Sequence, residues 1–134
     1  MAIEQDIYVA ADIMVVYNNR SILLIKRKFD PHAGTWALPG GFVETEEPLI
    51  DAAQRELEEE TGLKVDIASF HFRGVYAKPG RDSRFRTLSV VYRVDVSDKA
   101  YVMGQDDASE AAWFERDNLP ELAFDHGEIL EDHL

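Results

Sequence analysis

Residues 41–63 read GFVETEEPLIDAAQRELEEETGL, and this stretch organises the rest of the chain. Pro48 suits the first turn of a helix, where its missing N–H is harmless. From there Leu49, Ala52, Ala53 and Leu57 recur at helical spacing up to Thr61, and Gly62 supplies the stop. Glu56, Glu59 and Glu60 stand at i, i+3 and i+4, so their carboxylates share one helix face, with Glu58 in the same turn. Like charges at that spacing repel, and they crowd the end of the helix whose dipole favours cations. Helix stability does not ask for this arrangement; a hard divalent cation does, because such an ion takes carboxylate oxygens and shares its shell with water and phosphate. A merely solvated acidic face would leave the neighbouring residues unexplained. These are Gly40-Gly41, which permit close backbone approach, Glu44 and Glu47 in a loop, and Arg55 embedded among acids.

Working outward, Ile7–Tyr17 is rich in Val, Ile, Ala and Tyr and reads as a buried strand. Residues 18–20, Asn-Asn-Arg, supply a turn, and Ser21 to Lys28 forms a second strand. Residues 29–34 form a loop. Trp36 to Val43 reads as one short strand broken at Pro39-Gly40-Gly41. Beyond the helix, Val65–Tyr76 and Thr87–Val96 alternate as strands, Glu110 to Arg116 as a last short strand, and Ala123 to Leu134 as a C-terminal helix. Two helices suffice to cover a curled mixed sheet, so the expected fold is an α/β/α sandwich in one domain over residues 1–134.

Composition narrows the function. The 134 residues include no cysteine, which excludes disulfides and thiolate metal sites and fits a cytoplasmic protein. No basic leader is visible, and no run approaches the roughly 18 apolar residues of a membrane span. A net charge of −12 argues against nucleic-acid binding. Residues 41–63 carry eight acids and one base, more than half of that net charge. Residues 71–93 invert the balance, with Arg73, Lys78, Arg81, Arg84, Arg86 and Arg93 against Asp82 alone.

The 23-residue stretch resembles the Nudix box, in which glycine is followed after five residues by Glu, and after seven more by Arg-Glu-apolar-any-Glu-Glu-any-Gly-apolar. The specified positions are Gly41, Glu47, Arg55, Glu56, Leu57, Glu59, Glu60, Gly62 and Leu63, all matched. The resemblance implies a Nudix fold and metal ligation by Glu56, Glu59 and Glu60 with the Gly40 carbonyl. It also implies Mg²⁺ as cofactor with Mn²⁺ as an acceptable substitute, Glu47 in support, and Arg55 holding a glutamate by pairing. Further segments resemble the ADP-ribose pyrophosphatase branch: the first strand with Asp12, Leu23 to Arg27, Trp36 to Glu44, Tyr76 to Arg84 with Pro79 sixteen residues after Leu63, Asp106 to Ala108, Ala112 to Phe114, and Leu122 to His126.

The chemistry expected is Mg²⁺-assisted attack of water on a pyrophosphate, with a carboxylate taking the proton. Glu56, Glu110, Asp106 and Asp107 are the candidates for that role. Arg27 and the arginines at 73, 81, 84 and 86 are candidate donors to phosphate or ribose oxygens. Phe124 is a candidate platform for a base. Trp36 and Trp113 read as packing residues, and His32, His71, His126 and His133 lack ligand spacing and are assigned no metal. The leading expectation is hydrolysis of ADP-ribose to AMP and ribose 5-phosphate. A nucleoside triphosphate pyrophosphohydrolase and a non-catalytic ADP-ribose-sensing module are the alternatives. A homodimer whose arginine-bearing loop closes over a neighbour's site is compatible with the resemblance.

Overall fold

A computed structural model describes residues 4–134. The strands are β1 (Ile7–Tyr17), β2 (Ser21–Arg27), β3 (Trp36–Ala37), β4 (Gly40–Phe42), β5 (His71–Tyr76), β6 (Arg86–Val96) and β7 (Ala108–Glu115). The helices are α1 (Leu49–Thr61) and α2 (His126–His133), with a 3₁₀ turn at Ile67–Ser69. All seven strands belong to one mixed sheet. β1 is its spine, parallel to β6 along its whole length and antiparallel to β4 and β2 on the other edge. β2 carries the sheet on to β3 and β7, while β5 lies outside β6.

The apolar run of β1 is continuous because both faces of the sheet are covered. Ile13 and Val15 pack with Ala52, Ala53 and Leu57 of α1, while Met14 and Val16 pack with Ile129 and Leu130 of α2. Helix, sheet and helix thus form the expected α/β/α sandwich, its sheet open rather than closed. Each fully buried Leu or Ile in these two layers contributes roughly 1.5–3 kcal/mol. The β1–β2 hairpin turns at Asn18 and Asn19, both at φ 52°, which Asn tolerates better than most residues.

Element boundaries differ from expectation where backbone chemistry intervenes. Pro48 caps α1 from outside at ψ 145° instead of lying in its first turn. The span 36–43 is two strands with different partners, β3 on β2 and β4 on β1, hinged at Leu38-Pro39. Only residues 71–76 of the expected 65–76 strand pair in the sheet, since the 3₁₀ turn first brings Phe70 into the core. α2 begins at His126 rather than Ala123: Phe124 stands at φ 52°, and the Ala123 N–H is bound to the Trp36 carbonyl. β7 starts earlier than expected, at Ala108, paired with Arg27 across a register shift.

Candidate active site

A cavity of about 470 Å³ opens where β1, β4 and the C-terminal half of α1 meet the loops after β2, β5 and β6. Its volume suits a ligand of nucleotide size. α1 supplies one wall. Gly62 ends that helix at φ 79°, its N–H bonded to the Glu58 carbonyl, so the glutamates are delivered in its last turns. β4 crosses beside them, and Gly40 and Gly41 leave room there for carboxylates. A Cβ at Gly41 would strike the Glu56 carboxylate, and one at Gly40 would strike Ala11 and Asp12.

Arg55 is the hub of this wall. Its guanidinium forks onto Glu47 (2.7 and 2.8 Å) and donates to Glu56 (2.8 Å), Glu59 (3.1 Å) and the Phe42 carbonyl (3.2 Å). Those bonds hold the Glu47 carboxyl below its ordinary range and the Arg55 pKa above its own. Glu60 turns the other way, its Oε1 accepting the Gly40 N–H at 2.8 Å. Burial pushes Glu60 well above the usual carboxylate range, with Glu56, Asp12 and Asp107 adding repulsion against the relief from Gly40. Burial also raises Glu56, to about 7, because Glu59 and Asp106 reinforce it and Arg55 offsets only part.

Among the described residues, no three His, Cys, Asp or Glu side chains converge into a ready metal cage. The reason is visible: Arg55 draws Glu56 and Glu59 to itself, while Gly40 holds Glu60. The donor set nonetheless fits a hard divalent cation, since Mg²⁺ needs only one or two carboxylates beside water and phosphate. Two carboxyls, Glu60 buried and Glu56 partly buried, whose charge is resisted at a shared cavity are the kind of pair a cation relieves.

The opposite wall is basic and aromatic. Arg27 lies over the Phe124 ring (4.8 Å to its centroid) and donates to the Pro31 carbonyl. Burial and the charge of Arg84 lower its pKa. Arg84 stacks on Phe85 (4.8 Å), reaches Phe42 and Phe124 (5.6 and 6.0 Å), and pairs with Asp82 through two bonds. Burial disfavours the Asp82 carboxylate, but Arg84 outweighs it and the pKa is lowered. Arg81 lines the cavity with its guanidinium spent on Asp125 (2.6 and 2.8 Å) and Ser89 (2.9 Å), so it clamps its loop to the start of α2.

Of the residues singled out in the sequence, Gly40, Arg55, Glu56, Glu59, Glu60, Arg27, Arg81, Arg84 and Phe124 line this cavity. Glu47 stands one step behind, through Arg55. Three others lie elsewhere. Arg73 sits at the register shift of the outer strand β5 and is exposed. Arg86 donates to the Ala77 carbonyl and borders a shallow depression with Gln5, Asp6 and Ile7. Glu110 is exposed on β7 and paired with Lys26 at 3.4 Å. Among the acids weighed beside Glu56, Asp106 and Asp107 are the ones on the cavity wall. The arginine-bearing loop faces its own chain's cavity, through Arg81 and Arg84.

Two residues assigned no role in the sequence also line the cavity, Asp12 and His126, both about 5% exposed. The signal for Asp12 was available: it is the only charged residue within an apolar strand, and a buried carboxylate is costly. His126 carries no such signal, because its burial depends on the packing of α2. Burial lowers the pKa of its ring, against the pull of Asp12 and Asp125.

The NUDIX domain model matches residues 7–133. The chain belongs to the NUDIX family. The ADP-ribose pyrophosphatase of Methanocaldococcus jannaschii is 47% identical over 126 residues, which cover 94% of this chain and 72% of that protein. By that kinship the chain is a Nudix hydrolase, a class that in general depends on a divalent metal. A bifunctional NMN adenylyltransferase/ADP ribose pyrophosphatase from Francisella tularensis, solved with AMP and a manganese ion, superposes with TM-score 0.88 at 29% identity. It covers 98% of this chain, which spans 42% of that longer protein. The NUDIX domain of Shewanella oneidensis NrtR, solved with ADP ribose, gives TM-score 0.81 at 26% identity, covering 97% of this chain and 86% of that one.

Proposed function

We propose that this Nudix hydrolase cleaves the pyrophosphate of ADP-ribose, with Mg²⁺ as its metal, releasing AMP and ribose 5-phosphate. The observation that carries the reading is the two-walled cavity, with carboxylates for a metal on one side and Arg27, Arg84 and Phe124 on the other. The kinship to the ADP-ribose pyrophosphatases of M. jannaschii and F. tularensis supports the same reading.

Glu56, Glu59, Glu60 and the Gly40 carbonyl would hold Mg²⁺, which when bound neutralises phosphate charge and lowers the pKa of a coordinated water. Arg55 positions Glu56 and Glu59 through its hydrogen bonds, and Glu47 fixes Arg55 in turn. Glu56, partly buried on the cavity wall, takes the proton of the attacking water, with Asp106 and Asp107 as the other acids within the cavity. Arg27 and Arg84 neutralise the phosphates farther from the metal, and Phe124 offers its ring to the adenine.

A Mg²⁺-supplemented panel of ADP-ribose, NADH, a dinucleoside polyphosphate, a UDP-sugar, dGTP and 8-oxo-dGTP tests this, with products separated to identify the bond cut. The expected result is ADP-ribose ahead by about tenfold or more in kcat/KM, an advantage of roughly 1.4 kcal/mol, with AMP as product. Pyrophosphate released from the triphosphates at higher efficiency would overturn the substrate. Tight ADP-ribose binding without turnover would overturn catalysis and favour a sensing role.

A further inference from the structure

Among the described residues, no side chain or backbone group hydrogen-bonds the buried Asp12 carboxylate. Its side chain is 7% exposed and lines the cavity. The His126 Nε2 stands 3.8 Å from its Oδ2, too far for a direct bond. The imidazole is held in one tautomer. The Leu38 N–H donates to Nδ1 at 3.0 Å, so the ring proton resides on Nε2, the nitrogen that faces Asp12.

Acceptor and donor therefore stand side by side at the cavity floor, separated by a gap that one hydroxyl would bridge, accepting from Nε2 and donating to Oδ2. Asp12 is also the cross-strand partner of Gly40, whose N–H is bound by Glu60. The pair thus adjoins the wall assigned to the metal and pyrophosphate. A phosphate oxygen would be repelled by the carboxylate and gains nothing there. A neutral group that donates at least one hydrogen bond, attached directly to the pyrophosphate, is the chemistry that fits.

We propose that Asp12 and His126 form a subsite for the vicinal diol of a ribose, one hydroxyl shared between them and the second donating to the other Asp12 oxygen. This rests on the ADP-ribose reading, in which a ribose flanks the pyrophosphate on each side. Gly40 contributes by lacking a Cβ, which would otherwise occupy the space of the Asp12 carboxylate.

The test measures binding by calorimetry in Mg²⁺, using AMP against 2′-deoxy-AMP and ribose 5-phosphate against 2-deoxyribose 5-phosphate. The wild-type protein is expected to prefer the hydroxylated member of one pair by about tenfold or more, the scale of a hydrogen bond to a charged group. The pair that shows the preference identifies the ribose. Asp12→Asn is expected to reduce that preference below about threefold by weakening the hydroxylated ligand alone. Unchanged affinity for the deoxy ligand then serves as the check that the variant is folded, and Asp12→Ser gives an independent second variant. Equal affinities within both pairs in the wild type would overturn the diol subsite while leaving the ADP-ribose reading intact. Failure of both AMP and ribose 5-phosphate to bind would overturn the two together. An Asp12→Asn protein that keeps the preference but loses Mn²⁺ affinity, read by electron paramagnetic resonance, would make Asp12 a metal group instead.

Discussion

At the scale of single residues, Glu60 and Glu56 each bear a cost on ionising that the protein only partly relieves. Each is a carboxyl whose ionised form is resisted by burial and by acidic neighbours. The Glu60 carboxylate accepts a single hydrogen bond among the described residues, whereas Glu59 is about 42% exposed at its side chain and is held by Arg55. Glu60→Gln is therefore expected to lower kcat at least about 100-fold, and Glu59→Gln by less, in steady-state assays at saturating Mg²⁺. Equal, near wild-type rates would remove both from the metal assignment.

The sign of the pH effect at Glu56 follows from its raised pKa. A carboxyl that sits near 4.5 when unfolded and about 7 when folded favours the folded state while protonated, and that contribution is lost as pH rises through 7. His126 works in the opposite direction, so the slope of the wild type alone is ambiguous. The comparison with Glu56→Gln isolates the glutamate. In metal-free buffer the variant should unfold at nearly the wild-type temperature near pH 4.5. It should unfold higher than wild type, by about 5 °C or more, near pH 8. A constant difference across that range would remove Glu56 as a buried ionising group.

At the scale of elements, the end of α1 and the crossing of β4 set where the glutamates stand, and their glycines do different jobs. Gly62 supplies a left-handed backbone, so Gly62→Ala should cost about 1 kcal/mol of stability, read from the denaturant midpoint. Gly41 supplies room. The atoms nearest an added methyl are those of the Glu56 carboxylate, a side-chain end, so Gly41→Ala should keep most of its stability and lose about tenfold or more in kcat. A Gly41→Ala enzyme with full activity would show that Glu56 has another place to go.

At the scale of the whole molecule, Arg81 joins the loop after β5 to the start of α2 across the cavity. Its side chain is about 4% exposed, and its removal leaves Asp125 partly buried and unpaired. Arg81→Met should destabilise the protein by about 3 kcal/mol in urea unfolding. It should also raise KM more than it lowers kcat, because the loop it tethers also bears Arg84 over Phe124. A loss confined to kcat would assign Arg81 a part in the chemistry itself.

The metal face, the order of elements and the two-layer core were legible in the sequence for local reasons. Helical spacing alone puts Glu56, Glu59 and Glu60 on one side, Gly62 ends the helix, and unbroken apolar strands need cover on both faces. The fold and the chemistry class follow from those short-range rules. Which arginines face the cavity does not. Arg73 and Arg84 are equivalent as letters, and a register shift in β5 and the stacking on Phe85 separate them. Asp12 and His126 lie 114 positions apart and meet because β1 runs beside β4, whose approach at Leu38 holds the His126 ring. Spacing and periodicity reach only a few residues along the chain, whereas that meeting is decided by strand pairing and by the seat of α2 against the far side of the sheet.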